Sequence, residues 1–244
     1  MIDHAVATSE PKPRAPDATF LVKVFYAFAA LAALSVVISI GGKMLGQQIV
    51  MAGHTNDTTV REVVIGNNVV AVPANAIRFE GSRRDGVAQR LDLYLRWPDM
   101  TGYSTEHSDD FNHAGGSRHI VFLTFEERMM SRDMSGRFEP IYRSLIEQPG
   151  ERSAGGVTVY RFKAKSGYVD ETLAVAERPG HEPFVARCFS GTTAAASLAP
   201  CERDVQLGDG LSLTYRFPLE LLANWRAVDA AVLRQATAYL KSGR

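Results

Sequence analysis

Residues 23–43 read KVFYAFAALAALSVVISIGGK, and the fate of this stretch decides how the rest of the chain is to be read. From Leu21 to Ile40 there are twenty residues with a single charge, Lys23. At about 1.5 Å of rise per residue, a helix of that length reaches about 30 Å, the thickness of a bilayer's hydrocarbon core. Lys23 stands one turn inside the edge, where its stem can lie along apolar surface while the ammonium reaches the headgroups. A cleaved signal peptide and a buried core helix are the competing readings. A signal peptide has an apolar region of about 7–15 residues followed closely by a small-x-small site. Here the run from Val24 to Ile40 continues into Gly41, Gly42 and Lys43, and the nearest small-residue site, around Val50 and Ala52, lies far downstream. No Cys follows the run, which excludes a bacterial-type lipoprotein anchor. The expectation is a retained transmembrane helix over residues 20–45.

Working outward, basic residues near the two ends set the orientation, because acidic ones contribute little to insertion. Lys12, Arg14 and Lys23 lie on the N-terminal side, and only Lys43 precedes Arg61 on the other. Residues 1–19, with PKPRAP at their centre, therefore read as a short cytoplasmic tail. Residues 46–58 read as a linker, and residues 59–244 as a periplasmic domain. Cys188 and Cys201 stand in RCFSGTTAAASLAPCERD, residues 187–204, where a small, polar segment joins two strand-like runs. An oxidising compartment would let them bond, and closing this loop stabilises a fold by roughly 3 kcal/mol on the chain-entropy estimate. Two unrelated buried thiols are the alternative.

Composition narrows the partners. The 244 residues are 45% hydrophobic and 22% charged, enough to build a core, and 27 Lys plus Arg balance 27 Asp plus Glu. No net charge points to nucleic acid or to a strongly acidic substrate.

The body alternates like a sheet. VREVVIGNNVVAVP, residues 60–73, places two β-branched runs around Gly66, Asn67 and Asn68, residues that tolerate the positive φ of a tight hairpin. RLDLYLRW, residues 90–97, puts Leu91, Leu93, Leu95 and Trp97 on one face and Asp92, Tyr94 and Arg96 on the other, a half-buried strand. Further strands are expected at residues 119–125, 157–162, 172–177, 184–189, 203–207 and 211–217. In SGRFEPIYRSLIEQ, residues 135–148, the residues Phe138, Ile141, Tyr142 and Leu145 form a helical stripe with Pro140 in the first turn. After Pro218, Leu221, Trp225, Val228, Val232 and Tyr239 line one side of a long helix expected to pack on the sheet. The fold class is α+β: one N-terminal transmembrane helix, then a mainly antiparallel sheet domain with a long C-terminal helix.

No familiar nucleophile elbow, phosphate loop or protease zinc motif is present. HSDDFNHAGGSRH, residues 107–119, offers His107, Asp109, Asp110, His113 and His119, but the spacing does not stack them on one helical face, so a polar surface loop is the better account. No metal or cofactor is expected. Beyond the apolar stretch there are 20 Arg against three Lys, and Arg78, Arg83, Arg84, Arg90 and Arg96 crowd into one segment. Planar guanidinium forks suit phosphate or carboxylate, so Arg83, Arg84, Arg90 and Arg96 form a candidate patch for an anion or a partner. Pairing with Glu80, Asp85 and Asp92 is the plainer account. Among Met129, Met130 and Met134, core filling is expected, with Asp133 or Ser135 capping the helix that follows.

VPANAIRF (72–79), RRDGVAQRLDLYLRWPDMTGYS (83–104) and MSRDMSGRFEPIYRSL (130–145), placed after one N-terminal span, resemble a group of single-pass membrane-anchored proteins of Gram-negative bacteria to which no activity is attached. The resemblance implies an inner-membrane anchor and a periplasmic body and carries over no catalytic residue. Two functions stay open. One is an anchored periplasmic interaction domain with a protein partner in the envelope, such as an accessory subunit of an envelope complex. The other is a periplasmic enzyme acting on glycan, lipid or peptide, with acids and bases drawn from Asp109, Asp110, His113, Glu126 or Glu127.

Overall fold

The structure is a computed structural model that describes residues 18–51 and 53–241. The expected cytoplasmic tail, with Lys12 and Arg14, falls almost wholly outside those residues. The chain divides into two units, Met1–Ala52 and Gly53–Arg244. In the first, one helix runs over Ala18–Met51. Its stretch Val22–Ile40 has a mean hydropathy of 2.1 and none of it is buried. Phe25, Phe28, Val37 and Ile38 are each more than half exposed, whereas a soluble core helix would hide such side chains.

The second unit is α+β. Strands β1 (Val60–Ile65) and β2 (Asn68–Pro73) form the expected hairpin, with Ile65 opposite Asn68. Gly66 takes φ +54° in the turn, a conformation open to glycine at no steric cost. β3 (Gly86–Val87) pairs parallel to β1. The large sheet contains β4 (Arg90–Arg96), β5 (Ile120–Glu127), β6 (Glu151–Arg152), β7 (Thr158–Arg161), β8 (Glu171–Ala176), β9 (Phe184–Phe189), β10 (Cys201–Leu207) and β11 (Leu211–Phe217). Its order is β4-β5-β11-β10-β9-β8-β7-β6, antiparallel throughout. β12 (Leu240–Lys241) joins β2 at the edge of the small sheet.

Period two explains the main core. Leu91, Leu93 and Leu95 of β4, Val121, Leu123 and Phe125 of β5, and Leu211, Leu213, Tyr215 and Phe217 of β11 all face one side and are buried. The C-terminal helix covers that side. It enters through a 3-10 segment, Leu219–Asn224, and continues as Trp225–Tyr239. Leu221, Trp225, Val228, Val232 and Tyr239, the stripe read from the sequence, are all buried in this core. The helix does not end the chain, since β12 follows it.

A second, smaller core lies on the opposite face, over β8 and β9, where Met134, Tyr142, Ile146, Leu173 and Val185 meet. The expected helix at 135–148 covers it as one π-turn, Phe138–Tyr142, followed by Arg143–Leu145. Ile141, assigned to its apolar stripe, is instead 39% exposed, because the wider turn rotates it away from the sheet.

The expected half-buried β4 differs at Tyr94, which is 2% exposed. His54, Tyr103 and Phe111 pack around it, with the His54 ring stacked 4.6 Å from Tyr103 and its Nδ1 3.1 Å from the Tyr94 hydroxyl. Burial pushes the His54 imidazolium below its ordinary range, reinforced by Arg83 and His113 and opposed by a hydrogen bond with Asn112. The folded pKa is then lower than the unfolded one, so the unfolded chain takes up the proton first. The stability contributed by His54 is full above about pH 6.5 and declines as the pH falls below it. Thermal melts of the full chain in detergent should show a Tm that falls between about pH 7 and about pH 5, and His54→Phe should flatten that slope. Parallel slopes for the two proteins would remove His54 as the cause.

Candidate functional site

A hollow of about 970 Å³ in the body opens where the turn Phe138–Tyr142, the segment 148–158, the loop 177–183 and the start of the C-terminal helix come together. One glycine lets the second of these approach the start of the helix. Gly155 has φ +71°, and a Cβ on it would stand 2.2 Å from the Ala223 carbonyl oxygen, so no other residue fits. Its own carbonyl accepts from Trp225 Nε1 and from Arg226, both at 3.1 Å.

Phe138, Tyr160 and Val175 supply apolar lining, and Arg143, Arg152, Arg178 and Arg226 line the hollow against the carboxylates Glu139 and Glu177. Arg143 is paired with Glu139 at 2.5 Å. The Arg226 guanidinium lies 4.5 Å from the Trp225 ring centre, and Arg152 has no side-chain partner among the described residues. Four guanidiniums against two carboxylates leave an excess of positive charge in a concave site, where low-dielectric walls focus the field.

Behind Arg178 lies a network that sequence reasoning missed. Arg203 is 1% exposed and Asp229 5%. Arg203 donates from Nε to Asp229 at 3.2 Å, and from Nη1 to Ser135 Oγ and the Val185 carbonyl at 2.9 Å each. The Tyr215 hydroxyl donates to Asp229 at 2.7 Å, and burial holds that phenol well above its ordinary range. Arg178 reaches Asp229 from the groove side at 3.5 Å.

The sheet face opposite the main core is covered at both ends but open in the middle, over β5, β11 and β10. Its floor carries Thr124, Glu126, Thr214, Arg216, Glu202 and Asp204, on positions that alternate with the buried residues. A hollow of about 200 Å³ there includes Glu126, Glu202, Asp204 and Arg187. At its rim Met129 is 92% exposed and Met130 53%, whereas Met134 is buried at 1%. Core filling thus holds for Met134 alone. The Asp133 carboxylate accepts from the Gly136 amide at 3.0 Å in the turn before the helix, and the Ser135 hydroxyl donates to the Pro183 carbonyl. The expected cap is therefore not formed: Arg137 holds the N-cap position and no side chain bonds the helix's first amides.

The four arginines of the candidate patch are engaged separately. Arg83 donates to the carbonyls of Ile77 and Gly53, at 3.1 and 2.7 Å. Arg90 grips both oxygens of Asp92, and Arg96 reaches Asp99 and Asp110. Arg84 is exposed with no side-chain partner among the described residues. No partner is shared between any two of the four.

In the segment 107–119, Asp110 Oδ1 accepts from Ser117 Oγ at 2.6 Å and lies 3.1 Å from His119 Nδ1, while Arg96 holds Oδ2 at 2.7 Å. The Ser117 hydrogen bond, then those from Arg96 and His119, keeps this carboxyl well below the usual range against the opposing cost of burial. His107 Nδ1 contacts Ser104 Oγ and His113 Nδ1 the Ser117 carbonyl. Among the described residues no group of three His, Cys, Asp or Glu side chains is placed to hold a metal ion. Cys188 and Cys201 face each other across β9 and β10 as a disulfide.

The sequence matches no protein-family model and no curated protein. Among solved structures, the chain is similar to an immunity protein of the Stenotrophomonas maltophilia type IV secretion system, at 13% identity over 78% of this chain and 96% of that one, with a TM-score of 0.51. It also matches an iron-regulated outer membrane lipoprotein of Neisseria meningitidis, at 8% identity over 76% and 94% of the two chains, with a TM-score of 0.41. The first of these likenesses places the body in a fold already seen in a protein of a bacterial secretion system.

Proposed function

We propose that this chain is a membrane-anchored binding protein of the bacterial envelope, with its apolar helix retained in the inner membrane, a short cytoplasmic tail, and its body in the periplasm holding a protein partner in the arginine-lined groove. The observation that carries the reading is the groove itself: about 970 Å³, walled by Arg143, Arg152, Arg178 and Arg226 over aromatic lining. Aromatic and arginine side chains in a concave site are the kinds that anchor protein interfaces. The positive excess suits a partner that presents an acidic segment. The exposed apolar helix and the Cys188–Cys201 disulfide support the anchor and an oxidising compartment. The immunity protein's shared fold supports a binding role, because a role of that kind needs a presented surface and no catalytic centre.

The test is a photo-crosslinking amino acid at Ser153, which lines the groove, in the full chain expressed in a Gram-negative host. One discrete protein adduct is expected. It should weaken about tenfold when Arg152→Glu and Arg226→Glu are combined, since like charge across an interface costs a kilocalorie per mole or more. An adduct indifferent to the charge reversal, or none at all, would sink the reading.

A further inference from the structure

A smaller hollow of about 280 Å³ lies on the open sheet face, apart from the groove, and includes Arg78, Arg90, Asp92, Phe122, Leu198 and Arg216. Its charges do not cancel. Asp92 is fully used, since Arg90 takes both of its oxygens and Thr124 Oγ1 donates to it at 2.7 Å. Arg216 stands between Phe122 on β5 and Glu202 on β10. Glu202 is bonded at 2.8 Å to Arg187, and Arg216 itself has no side-chain partner among the described residues. Arg78 has its guanidinium carbon 4.9 Å from the Phe122 ring centre and 5.1 Å from that of Phe79, with no carboxylate. Two guanidiniums without a carboxylate thus share one half-enclosed space, an arrangement that repels itself unless an anion joins it.

We propose that this hollow binds a small oxyanion, a phosphate or carboxylate group held between Arg78 and Arg216, with the rest of the ligand lying against Phe122 and Leu198. Guanidinium forks match the two oxygens of either group, and the flat ring with the leucine beside it gives the ligand's body an apolar seat. Leu198 belongs to the loop closed by Cys188 and Cys201, so the wall of the hollow is held by the disulfide. The proposal rests on residues other than those of the groove, and it stands or falls independently of the partner-binding reading.

The full chain in detergent micelles, with its arginine side chains isotopically labelled, is titrated with sodium phosphate and separately with sodium succinate at constant ionic strength. The Arg216 and Arg78 Nε–H signals are expected to shift and saturate by about 10 mM anion, the range in which a few charge-assisted bonds operate. Saturation by phosphate alone assigns a phosphorylated ligand, and saturation by succinate alone or by both admits a carboxylate. Arg216→Gln should weaken binding about tenfold or more, Arg78→Gln should do the same by a separate route, and Arg234→Gln, on an exposed site of the C-terminal helix, should leave it unchanged. Signals that drift without saturating with either anion, or an Arg216→Gln protein that titrates like the parent, would overturn the proposal.

Discussion

Replacing Asp229 by alanine is expected to destabilise the body by about 3–5 kcal/mol, the range found when one partner of a buried ion pair is removed. The carboxylate receives the Arg203 Nε and the Tyr215 hydroxyl. Without it, the Arg203 guanidinium, 1% exposed, retains only the neutral acceptors Ser135 Oγ and the Val185 carbonyl. A charge left in that position keeps its full desolvation cost and loses its counter-ion. Combining Asp229→Ala with Arg203→Met should recover much of the loss, because the orphaned charge leaves with its partner and an apolar chain fills the space. Denaturant midpoints of the two single variants and the double variant give the coupling. A loss below about 1 kcal/mol for Asp229→Ala, the value of an exposed pair, would mean that water reaches the network.

That network shows where sequence and structure part. The alternation in β10 and β11, the stripe along the C-terminal helix and the pairing of Cys188 with Cys201 depend on local period and spacing, and all three are visible in the chain. Arg203 was visible too, as a charge in phase with Cys201 and Val205, both buried. Asp229 sits next to Val228 on the buried side of its helix. Each breaks its own pattern, and two such breaks in facing elements are the trace a buried pair leaves in a sequence. Tyr94 gave no such trace, because its burial depends on His54 before β4 and on Tyr103 and Phe111 after it folding over the strand. The groove is harder still, for Arg143, Arg152, Arg178 and Arg226 come from four separate stretches and no spacing links them. In the dense arginine run at 78–96, Arg83, Arg90 and Arg96 are held by carbonyls or carboxylates, whereas Arg216 becomes conspicuous only once β11 lies beside β5.

Removing the disulfide is the second large effect. Cys188→Ala with Cys201→Ala is expected to lower stability by roughly 3 kcal/mol, since a loop of this size frees about that much chain entropy in the unfolded state. The position of the bond matters beyond its loop. β9 and β10 are neighbours in the middle of the large sheet, yet their ladder is short, with Cys201 opposite Cys188 and Glu202 opposite Arg187. Beyond those pairs the Val185 carbonyl bonds to the Arg203 side chain in place of a facing strand. The seam is thus closed at one end by sulfur and farther along by a guanidinium. Reduction of the intact protein should therefore speed amide hydrogen exchange in β9 and β10 before the hairpin of β1 and β2 responds, because local opening begins where backbone pairing is thinnest. Combining the double alanine variant with Asp229→Ala should cost more than the sum of the two, since each closure limits how far the seam opens when the other is lost. Equal denaturant midpoints with and without reductant would show that the strands hold together without the bond, and strict additivity would show that the two closures act independently.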